Sequence, residues 1–313
     1  MREKIVLVGF LVGAALLFYL GRNLLETSAA VTWGLTFAGT TAVSVLGMTL
    51  YRVQSQLRAS RHELARKEAE LSFALEVQRA LFPRHFPADS GLEFAAVCVP
   101  ARGISGDYYD VMKLEDGRVV FVVGDISGKG ISAAILMANL QAVWRMLART
   151  GRSPEEVCSQ LNRHLYQITD TSRFATLFYG LWNRADGRLC YVNAGHEVPL
   201  LISDCSSHRL EQGGLPLGMF PAADYQAGSV ALARDDLLVV YSDGITDATR
   251  PQGDDFGADR LEKLVAEHWR NPLAEIQQKV MTAVRQWCGP GREADDDMTL
   301  LLVRGAVAVR EES

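Results

Sequence analysis

The sequence predicts an α+β domain, with helices layered on a mostly antiparallel sheet system, behind a membrane-inserted N-terminal segment. Three observations carry this. Nine short runs rich in β-branched and aromatic residues end in turn residues. Two helix pairs interrupt those runs without a strict βαβ alternation, which counts against a doubly wound nucleotide fold. Two uncharged apolar stretches precede everything else.

Those stretches are "IVLVGFLVGAALLFYL", starting at Ile5, and "VTWGLTFAGTTAVSVLGMTLY", Val31 to Tyr51. A spanning helix needs about 20 apolar residues. The second run reaches that length, and the first reaches it if extended through Leu24 and Leu25. A cleaved signal peptide is the competing reading of the first run, but no convincing small-x-small site precedes a soluble domain. The expectation is therefore a hairpin with spans at about 5–25 and 31–51. Arg2 and Lys4 flank one side, and Arg52, Arg58, Arg61, Arg66 and Lys67 the other. The positive-inside rule puts both termini in the cytoplasm, as a two-pass protein of the inner membrane. The short connector is too small to fold as a sensor. The input is then a partner membrane protein or the bilayer.

From Arg52 to Phe82 there is no Gly and no Pro, and Pro83 stops the run. This predicts a linker helix over 52–83. Leu57, Leu64 and Leu71 recur at heptad spacing, which favours a parallel coiled-coil homodimer over a solvated connecting helix. Ala74, Leu75, Gln78, Leu81 and Phe82 continue a seam apolar enough to dock on the globular part of the chain.

The globular part is expected over 84–309. "DGR" at Asp116–Arg118 and again at Asp186–Arg188 marks two β-hairpins. Ile131–Thr150 and Ser153–Thr169 read as helices, the second with Ser153, Pro154 and Glu156 forming a capping box. Ala258–Trp269 and Pro272–Cys288 make the second pair. The strand runs include "DLLVVYSD", read as strand through Asp243.

Composition excludes several functions. Net charge is −5, against the basic face that nucleic acid binding needs. The five cysteines are scattered with no C-x-x-C, which argues against a zinc site or a disulfide framework and fits a reducing compartment. "GDISGKGISAA" fails the P-loop pattern in its glycine spacing and in the residue after Lys129.

Four Asp-bearing turns abut apolar strands: "SGDYYD" (Asp107, Asp110), "GDISG" (Asp125), "YSDGITD" (Asp243, Asp247) and "DDDMT" (Asp295, Asp296, Asp297). Converging carboxylates must be neutralised. With oxygen donors alone, a hard divalent cation, Mg²⁺ or Mn²⁺, is the economical neutraliser.

The ordered motifs "EVQRALFP", "ARGISGDYYD", "GDISGKGISAA", "FATLFYG", "YVNAGH", "LPLG", "YSDGITDA", "FGADRL" and "DDMTLLLV" together resemble the PPM (type 2C-like) metal-dependent serine/threonine protein phosphatases, bacterial RsbU/SpoIIE branch. The resemblance implies an α-β-β-α sandwich with two Mn²⁺ or Mg²⁺ ions. It implies metal ligands at Asp107, Asp125, Asp243 and Asp296, the first Asp of "DDMT" being preferred to Asp297, and at the backbone carbonyl of Ile126. Arg102, five residues before Asp107, becomes a candidate phosphate contact. Asp110, Asp247 and His196 are expected to serve the structure, and Ser127 stands where eukaryotic-type members carry a His. The implied reaction is hydrolysis of phosphoserine or phosphothreonine on a regulatory protein, such as an anti-sigma-factor antagonist. A membrane scaffold that binds a phosphoprotein without hydrolysing it is the alternative, disfavoured because all four carboxylates are present.

Overall fold

A computed structural model describes residues 12–16, 18–19, 21–22, 29–101, 103–169, 173–204, 206–251, 253–289 and 295–306. The chain divides into two compact units, Met1–Ala69 and Glu70–Ser313.

In the first unit, the described parts of 12–22 are helical, and the rest of the expected first span lies outside the described residues. Helix α1 is Ala29–Leu81, so the second apolar run and the predicted linker are one helix, whose residues 70–81 belong to the second unit. Nothing at the Tyr51–Arg52 junction breaks it, because residues 48–82 contain neither Gly nor Pro. Trp33, Phe37, Met48 and Tyr51 are exposed on it. Two described helices are long and apolar enough to cross a membrane, one within Val31–Leu81 and one at Ile131–Ala148. The latter has seven buried residues and is a layer of the globular unit.

The second unit holds two sheets. The five-stranded sheet has the order β1(Leu92–Val99), β11(Met298–Gly305), β10(Leu237–Tyr241), β6(Leu200–Ser203), β7(Ser206–Arg209). The six-stranded sheet runs β2(Tyr108–Lys113), β3(Val119–Ile126), β4(Ala175–Asn183), β5(Arg188–Ala194), β8(Gly213–Gly214), with β9(Gly228–Ala231) on β5. All pairings are antiparallel except β5 with β8.

Alternation along β3 shows how the layers form. Val119, Phe121 and Val123 pack between the sheets with Phe178, Val240, Leu301 and Val303. Val120 and Val122 face the other way, into a core with Trp144, Leu161 and Tyr179. Helices α2(Ile131–Ala148) and α3(Pro154–Ile168) close that core. On the far side α5(Ala258–His268) and α6(Leu273–Cys288) bury Leu261, Val265, Ile276 and Val280 against β10 and β11. Three stacked cores between four layers make an α-β-β-α sandwich. Each fully buried aliphatic or aromatic side chain contributes roughly 1.5–3 kcal/mol.

Local signals did what their chemistry requires. The Ser153 hydroxyl accepts the Glu156 N–H, and the Glu156 carboxylate accepts the Ser153 N–H, so the capping box starts α3. Both "DGR" turns connect antiparallel neighbours, with Gly117 and Gly187 at φ 87° and 63°. Three readings need correction. β10 ends at Tyr241, and Asp243 instead opens a one-turn helix, α4(Asp243–Thr246). Gly244 directs this: a Cβ there would lie 2.0 Å from the Asp297 carbonyl oxygen, so only glycine lets the chain curl against β11. β7 and β8 were not anticipated, because "SSHR" and "GG" carry no apolar alternation.

Candidate metal centre

The four candidate aspartates come two from each sheet. Asp107 precedes β2, and Asp125 is the penultimate residue of β3. Tyr108 pairs with Gly124 in the β2–β3 register, which sets Asp107 beside Asp125. Asp243 follows β10, and Asp296 stands two residues before β11.

Burial and their mutual charges act on their protonation. Asp107 is 1% exposed. Burial and the Asp125 charge hold its pKa well above the usual carboxylate range, against the opposing hydroxyls of Ser242 and Thr299. Burial first, then the charges of Asp243 and Asp296, push Asp125 up to about 7. Asp243 is raised by burial, Asp296 and Asp247, with the Gly244 N–H and Lys129 opposing. Carboxylates that raise one another across two sheets are a site short of positive charge.

The donor set fits a hard cation on three further observations. Asp107 Oδ2 is buried without a hydrogen-bond partner, which is costly unless something binds it. The Ile126 carbonyl oxygen and Asp125 Oδ1 face Gly106 so closely that a Cβ there would sit 3.0 and 3.3 Å from them. All the donors are oxygens. Among the described residues, however, no three His, Cys, Asp or Glu side chains already converge as a metal cage. The aspartates share a field without meeting at a point.

The neighbouring aspartates have other work. Asp297 Oδ1 accepts the Ala101 N–H at 2.7 Å and its Oδ2 accepts the Gly106 N–H at 2.6 Å. Both oxygens are spent tying the start of β11 to the loop before β2. Asp296 instead accepts the Asp297 N–H with Oδ1 and pairs with Lys129 through Oδ2 at 2.9 Å. Asp110 is fully buried in a two-pronged pair with Arg145 of α2, at 2.6 and 2.8 Å, and also accepts the Tyr108 hydroxyl. The Asp247 N–H closes α4 on the Asp243 carbonyl. The Ser127 hydroxyl accepts the Phe174 N–H and its own N–H bonds the Phe174 carbonyl, so it fixes the β3 loop to β4. His196 is 6% exposed, its Nδ1 2.8 Å from the Thr176 hydroxyl and its N–H on Asn193 Oδ1. Arg102 lies outside the described residues.

Gln78 is a residue whose role the sequence did not reveal. It is 2% exposed and bonds both backbone groups of Ser105, whose hydroxyl in turn accepts the Asp107 N–H at 3.0 Å. The signal was available: a lone amide on an apolar helical seam has to find a partner when buried. Phe82 completes this docking, its ring 5.6 and 5.0 Å from Tyr108 and Tyr109.

The layered fold is that of PP2C-type phosphatases: the SiaA-PP2C domain of Pseudomonas aeruginosa superposes with TM-score 0.69 at 21% identity, covering 77% of this chain and 98% of that one. The family Stage II sporulation protein E (SpoIIE) matches residues 115–305. The chain belongs to this family, the RsbU/SpoIIE branch of the PPM-type protein serine/threonine phosphatases. Phosphoserine phosphatase RsbU of Bacillus subtilis is 31% identical over 259 residues, 82% of this chain and 75% of RsbU. The RsbU and RsbW domains of Rv1364c from Mycobacterium tuberculosis superpose with TM-score 0.61 at 25% identity, covering 69% of this chain and 62% of that one.

Proposed function

We propose that this chain is a membrane-anchored, divalent-metal-dependent phosphatase that hydrolyses phosphoserine or phosphothreonine on a regulatory protein. The single observation that carries the reading is the gathering of Asp107, Asp125, Asp243 and Asp296 at the meeting of the two sheets, where burial and neighbouring carboxylates raise the pKa of Asp107, Asp125 and Asp243. The family and the name of RsbU supply the reaction class.

Asp107, Asp125, Asp243, Asp296 and the Ile126 carbonyl would hold two ions, Mn²⁺ or Mg²⁺. When bound, such ions supply an activated water for attack on phosphorus and offset charge on the phosphate oxygens. The chain's own part is placement. Asp297 locks the Ala101–Gly106 loop to β11, so donors from both sheets keep one geometry. Gly106 leaves room beside the Ile126 carbonyl. Arg102 is proposed as a phosphate contact.

The anchoring reading rests on the exposed apolar surface of 31–51. The Thr36, Thr40, Thr41 and Thr49 hydroxyls there return to carbonyls three or four residues back, as lipid requires of polar groups. Exposed Leu57 and Leu64, a heptad apart, support a homodimer through the 52–83 segment. A membrane-protein partner would provide the signal, and the Gln78–Ser105–Asp107 chain of hydrogen bonds would carry it to the 84–309 domain.

The test is Mn²⁺-dependent hydrolysis of p-nitrophenyl phosphate and of a phosphoserine protein by the purified full-length chain. Hydrolysis lost on chelation and on Asp243→Asn is the expected result. Neither turnover nor metal binding would leave the non-hydrolysing scaffold. Protein recovered in the soluble rather than the membrane fraction would remove the anchor.

A further inference from the structure

Lys129 has a use that the glycine loop around it does not explain. It sits between Gly128 and Gly130, at φ 102° and 77°, on the loop that leaves β3 of the six-stranded sheet. Its ammonium lies 2.9 Å from Asp296 Oδ2 and 3.0 Å from the Asp295 carbonyl oxygen, on the segment leading into β11 of the other sheet. It also offsets charge on Asp243. Asp296 Oδ1 is engaged by the Asp297 N–H. Oδ2 therefore already carries a cation, and a divalent ion placed on it would meet the Lys129 charge at close range.

We propose that Lys129 is a resident counter-cation of the carboxylate site, which clasps the β3 loop to the Asp295–Asp296 segment when no divalent ion is bound and must release Asp296 for one to bind. A compact ammonium is suited to this, as a point charge on a flexible stem that can be exchanged for another point charge. Lys129 is thus a positioning residue that weakens metal affinity and makes binding conditional on opening the clasp. The inference rests on the proposed assignment of the four aspartates.

The experiment is Mn²⁺ titration of the full-length wild type, Lys129→Met and Lys129→Arg, by calorimetry and by loss of the free Mn²⁺ resonance. Removing one positive charge a few ångströms from a divalent ion tightens binding by about tenfold even at the dielectric of bulk water. Lys129→Met should therefore bind Mn²⁺ more tightly, and Lys129→Arg should stay near the wild type. Without metal, Lys129→Met should unfold at lower temperature, and Mn²⁺ should raise its midpoint by more than the wild type's. Lys129 is about half exposed, and a merely damaged site loses affinity, so tightening is diagnostic. Wild type that binds Mn²⁺ with Lys129→Met no tighter overturns the clasp alone. Wild type that binds no Mn²⁺ overturns the metal assignment as well.

Discussion

The Gln78 side chain satisfies both backbone groups of Ser105, accepting its N–H at 3.0 Å and donating to its carbonyl at 2.6 Å. The helix end that docks with Phe82 against Tyr108 and Tyr109 thereby holds the residue two before Asp107. Gln78→Ala should leave two buried groups unpaired and cost about 1–3 kcal/mol for each left unsatisfied. The amount of Mn²⁺ needed for half-maximal hydrolysis should rise along with that loss. Lower stability with an unchanged Mn²⁺ requirement would mean that helix docking and the site are independent.

Asp296 and Asp297 are adjacent in sequence but opposite in expected effect. Asp296→Ala should lower the metal-free unfolding midpoint no more than loss of the Lys129 clasp does, and lower hydrolysis on the order of 100-fold or more. Asp297→Ala strips two backbone N–H groups of their acceptor and should destabilise by about 1–3 kcal/mol per group. Thermal melts and Mn²⁺ binding measured side by side separate the two. The reverse pattern would transfer the ligand role to Asp297.

Asp110 lies three residues after Asp107 and points to a different task. Breaking a buried ion pair costs about 3–5 kcal/mol. Arg145 is 37% exposed and can reach water, so about 2–3 kcal/mol is expected for Asp110→Ala. Mn²⁺ affinity should be unchanged. A loss of metal binding without a loss of stability would place Asp110 among the ligands.

His196 gives a pH dependence. Burial lowers its pKa to about 4, with the Tyr241 backbone opposing, while an unfolded His titrates near ~6.5. The folded value is depressed, so between those pH values the unfolded chain binds the extra proton. The contribution to stability is full above about pH 6.5 and is lost as pH falls toward 4, reaching about 2 kcal/mol lost by pH 5. Chemical denaturation at pH 7.5 and pH 5 should show this slope in the wild type, and His196→Gln should flatten it. An equal slope in both would assign the acid sensitivity to other groups.

The capping box at Ser153, both "DGR" hairpins and the alternation in β3 are local, and the sequence was sufficient to predict them. The structural role that the family resemblance implied for Asp110 agrees with its pairing to Arg145. Other features depended on distant partners. "SSHR" forms β7 because β6 offers it an edge, not because of its own pattern. Asp243 starts a helix because Gly244 fits against the Asp297 carbonyl, a neighbour far along the chain.

By itself the sequence determined which residue types could do the chemistry: oxygen donors in four turns, apolar runs that must be buried or face lipid, and glycines where the backbone bends. Tertiary structure decided how the carboxylates divide their work. Asp297 is consumed by the Ala101 and Gly106 amides, Asp110 by Arg145, and Asp296 faces Lys129. The physical reason is that a carboxylate's role depends on which donors and charges surround it. Those neighbours come from strands of two different sheets, which only folding brings together.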